Sequence, residues 1–127
     1  MSEESILFEK SGHVATLTIN RPHHVLNAMD TEAHEQLSSY LDRCNSDTDI
    51  RAIVLTGAGE RAFSVGRDLK AMARENALTG SDKSAMEERW TRMRRITDRH
   101  DLNKPHIGRV NGLALGGGFE IALPVTS

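Results

Sequence analysis

The sequence predicts an α/β fold, and three features in its first sixty residues carry that prediction: a pair of short alternating runs, a stretch with helical period, and a compact apolar segment. The alternating runs come first. Ile6 to Lys10 and Val14 to Ile19 flank Ser11-Gly12, and in the second run Val14, Thr16 and Thr18 alternate with Ala15, Leu17 and Ile19. Period-two alternation with β-branched residues around a glycine-containing turn reads as a β-hairpin. Asn20-Arg21-Pro22 ends it, because proline has no N–H to give to a ladder. From Asp30 the period changes, and Ala33, Leu37, Tyr40, Leu41 and Cys44 fall on one helix face. Asp30 or Thr31 can cap that helix by accepting a first-turn N–H, and Asn45 to Asp49 forms a polar exit. Ala52 to Thr56 is too short for a helix before Gly57 and apolar at nearly every position, so it reads as a strand buried on both faces. A hairpin, a helix and a buried strand in that order make an α/β unit.

The second half of the chain is punctuated by glycine. Gly57 to Gly66 reads as a loop containing Phe63, and Asp68 to Met72 as the start of a short helix. Residues 74 to 83, with Asn76, Gly80, Ser81 and Asp82, are the expected mobile segment. From Ser84 a second long helix places Met86, Trp90, Met93 and Thr97 on one face and runs to about Asp101. Lys104-Pro105 introduces a strand from Ile107 to Val110. Asn111-Gly112 and the run Gly116-Gly117-Gly118 follow, and Ile121-Ala122-Leu123 should continue as a helix until Pro124 stops it. No internal repeat or low-complexity tract is visible.

Bulk properties exclude more than they decide. A chain of 127 residues with 38% apolar and 27% charged residues is ordinary for one domain with a real core. It argues against disorder and against membrane spans. A net charge of −2 gives no field for nucleic acid, and three Phe, one Tyr and one Trp offer little for base stacking. The lone Cys44 cannot form an internal disulfide, and the polar start has no basic-then-apolar signal pattern, so a reducing, cytoplasmic setting is expected.

Several motifs have a plain reading. Gly57-Ala58-Gly59-Glu60-Arg61-Ala62 formally fits a dinucleotide fingerprint, but that fingerprint requires a helix to open at the turn, and none can start before Asp68; it reads as a turn. His23-His24 and His34-Glu35 lack the spacing that makes zinc ligands converge, since position 38 is Ser38, so no metal site is expected and the histidines read as surface or loop residues. Lys83, Arg89, Arg92, Arg94, Arg95 and Arg99 read as a solvated face interspersed with acids.

Two segments make more sense together. Ala62 to Lys70 and Asn111 to Glu120 each follow a strand and lead towards a helix, so each can present free backbone N–H groups. Two such donors converging on one point can stabilise negative charge developing on a carbonyl oxygen.

With these residues in view the sequence resembles the enoyl-CoA hydratase/isomerase, or crotonase, superfamily. The matching pieces occur in family order: Asn20-Arg21-Pro22 with Asn27-Ala28, the strand Ala52 to Thr56 leading to Gly57-Ala58-Gly59, then Ala62 to Met72, and Lys104-Pro105 through Leu123. The resemblance implies a spiral of ββα units and an acyl-CoA thioester substrate, with coenzyme A part of the substrate and no separate cofactor. It implies that the backbone amides of Arg67 and Gly117 hold an enolate-like oxygen, which recruits no side chain at position 67. It implies that Asp68, Leu69 and Lys70 accompany the first donor along the acyl-CoA, that His24, Val25 and Ala28 lie in a loop bordering the CoA moiety, and that Glu120 is the acid/base that handles the added water. It implies a homo-oligomer, a trimer or its multiple. It covers the first half of the family's domain, so residues 1–127 are expected to be a truncated, partial crotonase-like domain, in which Pro124 to Ser127 replace a helix continuation and the family's second glutamate has no counterpart. Two readings stay open: an acyl-CoA enzyme, most simply a 2-enoyl-CoA hydratase, or a catalytically inert fragment that self-associates or only binds CoA thioesters.

Overall fold

The computed structural model describes residues 4–22, 26–99 and 101–122. The expected helix end at Leu123-Pro124 lies outside them. The hairpin forms as predicted: β1 (Ile6–Ser11) pairs antiparallel with β2 (Val14–Ile19), with Gly12 at φ 59° in the turn. Ala15, Leu17 and Ile19 point inward and are fully buried, while Val14 is exposed, as the period-two pattern requires. Helix α1 (Thr31–Ser46) lays Ala33, Leu37, Leu41 and Cys44 on the sheet, and the Asp30 carboxylate caps it by accepting the Ala33 N–H. At the other end Lys104 donates to the carbonyls of Cys44 and Asp47, satisfying groups that the last turn leaves open.

The next strand, β3 (Ala52–Gly57), pairs parallel with β2 and with β5 (His106–Arg109), giving the order β1-β2-β3-β5. Ile53 and Leu55 are buried, but Ala52 and Val54 on the opposite face are only half-buried, so burial on both faces is incomplete. The expected loop from Gly57 to Gly66 contains a strand, β4 (Ala62–Ser64), which pairs parallel with β6 (Leu113–Ala114) in a second small sheet. With helices α2 (Leu69–Asn76), α3 (Gly80–Arg92) and α4 (Gly117–Ala122), the chain runs β1-β2-α1, β3-β4-α2-α3, β5-β6-α4. The ββα unit therefore recurs three times, a repeat of structure that no recurrence of residues announces.

Four further expectations are corrected. Most of residues 74–83 is helical, because α2 extends to Asn76 and α3 begins at Gly80. The second long helix ends at Arg92, not near Asp101; Met93 leaves the helical region at ψ 137°, and a single 3-10 turn follows at Ile96–Asp98. The arginines are not all solvated: Arg99 is buried and pairs with Asp42 and Asp101, whose carboxyl it holds down at a pKa of about 2. Nor are all histidines on the surface. His106 is buried on β5, and burial, with the Arg99 charge, lowers its pKa.

Two asparagines lock the turn between β3 and β4. Asn27, at φ 61°, donates to the carbonyls of Ala58 and Ala62 and accepts from the Arg21 N–H. Asn111 approaches from the other side, donating to Gly59 and Ala62 and accepting from the Gly57 N–H. The dinucleotide-like run thus leads into a strand, as a turn should.

Candidate active site

The Ser64 side chain starts the site. Its hydroxyl donates to the Asn27 carbonyl at 2.8 Å and accepts the Gly66 N–H at 3.1 Å, so the loop after β4 hangs from the loop before α1. Met29 then forms a parallel bridge with Arg67: the Met29 N–H donates to Gly66 O and the Asp68 N–H donates to Met29 O. In a parallel bridge the residue between those two bonds turns its own N–H to the opposite side. The Arg67 amide therefore faces away from Met29.

What it faces is the glycine run. The Leu115 N–H donates to Ser64 O at 3.1 Å, and Gly118 packs so closely that a Cβ there would sit 2.0 Å from the same oxygen. Gly66, at φ +95°, crosses this segment; a Cβ on it would sit 2.7 Å from the Gly117 nitrogen. A Cβ on Gly117 would lie 3.8 Å from the Arg67 nitrogen. The two loops thus touch glycine to glycine, and the two nitrogens are neighbours. Gly117 opens α4, where an N–H has no helical partner. Among the described residues neither the Arg67 nor the Gly117 N–H has an acceptor.

Both residues line a cavity of about 80 Å³, together with His34, Trp90, Ile96, Thr97, Glu120 and Ile121 among others. Arg67, Gly117 and Glu120 are thereby brought together, with the Glu120 side chain exposed. The Arg67 guanidinium leaves the amide and lies 4.7 Å above the Trp90 ring, bonded to Glu75. The other sequence-derived candidates do not line this cavity. Asp68 is buried and capped onto α2, accepting the N–H groups of Lys70 and Ala71 and pairing with Arg21 at 3.1 Å. Those hydrogen bonds outweigh its burial, and its pKa is lowered. Leu69 and Lys70 project into solvent. Ala28 is buried and gives its carbonyl to Arg21. His24 and Val25 lie outside the described residues.

His34 and Trp90 were missed by sequence reasoning. His34 is half-buried in the first turn of α1, and burial, followed by the Arg95 and Arg67 charges, pushes its pKa down to about 4. The one available signal is its position, four residues after the Asp30 cap and so at the helix end that Met29 holds against Arg67. Among the described residues no three His, Cys, Asp or Glu side chains gather as a metal site, and no helix is long and apolar enough to cross a membrane.

Three ββα units that bring two glycine-rich loops together around a carboxylate define an α/β chain of the crotonase type. The family pattern described as enoyl-CoA hydratase/isomerase matches residues 9–125, and the chain belongs to that family. It is 36% identical over 123 residues to the short-chain-enoyl-CoA hydratase of Clostridium acetobutylicum, covering 97% of this chain and 45% of that protein. It is 37% identical over 120 residues to the carnitinyl-CoA dehydratase of Proteus mirabilis, covering 94% and 43%. The crystal structure of a carnitinyl-CoA hydratase from Mycobacterium avium superposes with a TM-score of 0.80 at 34% identity, over 98% of this chain and 45% of that one. The chain therefore spans about 45% of the length of these relatives and corresponds to their N-terminal half.

Proposed function

We propose that this chain carries the oxyanion-holding half of an acyl-CoA hydratase/isomerase site and that its simplest reaction is hydration of a 2-enoyl-CoA thioester. The observation that supports it is the glycine-to-glycine crossing that sets the Arg67 and Gly117 amides side by side in one cavity with Glu120. The thioester carbonyl oxygen accepts both N–H groups. As water adds to C3, the Glu120 carboxylate takes the water proton and the electron pair of the double bond moves onto the carbonyl oxygen, which the amides stabilise. The enolate then collapses, C2 takes the proton back from Glu120, and water has been added across the double bond. Each amide donor is worth about 2.7–4 kcal/mol in the transition state. A cytoplasmic site of action and a homo-oligomer belong to the same reading. A second reading, a fragment that binds CoA thioesters without chemistry, is favoured by the small cavity, which is well below the roughly 300 Å³ of an ordinary ligand site.

Turnover of crotonyl-CoA by the purified chain, followed by loss of the enoyl-thioester absorbance, separates the two. The expected result is hydration that falls about 10²–10⁴-fold in Glu120→Gln with crotonyl-CoA binding retained. Binding without turnover supports the second reading, and neither binding nor turnover sinks both.

A further inference from the structure

The proposed chemistry leaves one polar wall of the cavity unused. His34 lines it beside Arg67, Gly117 and Glu120, and its ring packs on Trp90 with centroids 5.8 Å apart and planes 55° apart. Among the described residues neither ring nitrogen has a hydrogen-bond partner. With its pKa near 4 the ring is neutral at physiological pH, so one nitrogen donates and the other accepts. The charges around it are mixed: Arg95 and Arg67 disfavour a charged ring and Asp30 and Glu75 favour one, all close enough to act on the imidazole. The Trp90 face is already covered by the Arg67 guanidinium.

These features discriminate between acyl groups. A hydrocarbon chain would leave a desolvated imidazole without a partner, which carries the cost of an unmet polar group. A quaternary ammonium would find the aromatic face taken and, having no N–H, would leave both ring nitrogens unmet. A hydroxyl matches, because it can accept from one ring nitrogen or donate to the other. We propose that His34 sets the acyl specificity of this site, selecting short acyl-CoA thioesters whose acyl chain carries a neutral hydroxyl and rejecting cationic ones. This rests on the acyl-CoA reading above, and it separates the chain from relatives named for carnitinyl-CoA, whose acyl chain carries a trimethylammonium group beside its hydroxyl.

The test is calorimetric binding of three non-reacting thioesters: butyryl-CoA, 4-hydroxybutyryl-CoA and 4-(trimethylammonio)butyryl-CoA. The hydroxylated ligand should bind the unaltered chain about tenfold more tightly than butyryl-CoA, with the ammonium ligand weakest. His34→Leu should abolish the hydroxyl preference, and His34→Gln, which keeps hydrogen-bonding groups, should retain part of it. Equal affinities in the unaltered chain, or a preference that survives in His34→Leu, overturn the proposal and leave the acyl-CoA reading standing. If His34→Leu fails to fold, His34→Phe takes its place, since it keeps a ring against Trp90 and carries no hydrogen-bonding group; a hydroxyl preference undiminished there overturns the proposal in the same way. No binding of any of the three overturns the acyl-CoA reading itself, and this proposal with it.

Discussion

At the scale of single residues, the site is made of backbone, so the informative substitutions are those that remove an N–H without disturbing shape. Gly117 allows such an experiment. A Cβ there meets only ordinary contacts, at 3.5 Å from Gly66 Cα and 3.8 Å from the Arg67 nitrogen, so Gly117→Ala keeps both the fold and the donor. Position 117 is also the first of α4, where proline is tolerated because its N–H has no helical partner to lose. Gly117→Pro should therefore cut hydration about 10²–10³-fold while Gly117→Ala stays within a few-fold, as steady-state kinetics with crotonyl-CoA can check. Similar losses from both variants would point to loop packing and not to a donated hydrogen bond. Gly118 is the contrasting case, because its Cβ would overlap the Ser64 carbonyl itself.

At the scale of elements, α3 has no buried residue and is held to α1 through a few side chains, chiefly Arg89 on Glu35 and Trp90 on His34. That docking depends on pH. The folded pKa of His34 is about 4 against 6.5 when exposed, so the open or unfolded state binds more protons between those values. Stability is complete above pH 6.5 and is lost as pH falls towards 4. Glu35, whose pKa Arg89 lowers, adds a loss only below its ordinary value of 4.5. Between pH 7 and pH 5 the chain should lose up to about 2 kcal/mol, less any solvent screening at this half-buried ring. Urea midpoints should show that loss in the unaltered chain and a smaller one in His34→Leu, where His106, whose pKa burial also lowers, still contributes. The same elements show what the sequence makes legible. The hairpin, the Asp30 cap, the helix start near Asp68, β3 and the strand near Ile107 are each set by neighbours in the chain, so periodicity and capping chemistry reveal them. Strands β4 and β6, three and two residues long, exist because each finds the other about fifty positions away. The two glycine-containing segments stand out in the sequence, and the family resemblance singles out Arg67, Gly117 and Glu120 within them, whereas His34 and Trp90 reach the cavity only through the packing of α1 against α3.

At the scale of the whole molecule, the described surface has one unbalanced region. Ile107 and Val110 at the end of β5, and Leu113 and Leu115 around β6, are between 47% and 53% exposed. Both strands are also sheet edges, so unpaired backbone groups lie next to exposed side chains. Burying four half-exposed side chains of this size removes on the order of 200 Å² of apolar surface per copy, worth about 5 kcal/mol before the entropy of association is subtracted. That supports only weak, concentration-dependent self-association, on the order of tens of micromolar or weaker, not a tight oligomer. Light scattering across a hundredfold dilution should show the mass falling towards that of one chain. Ile107→Lys with Leu115→Lys should shift the chain to monomer at all concentrations, because each places a charge among the exposed apolar side chains at β5 and after β6 while Ile53 and Leu55 keep the core intact. A unaltered chain that stays monomeric throughout, or a double variant that associates as readily, would mean that these edges are not the contact surface.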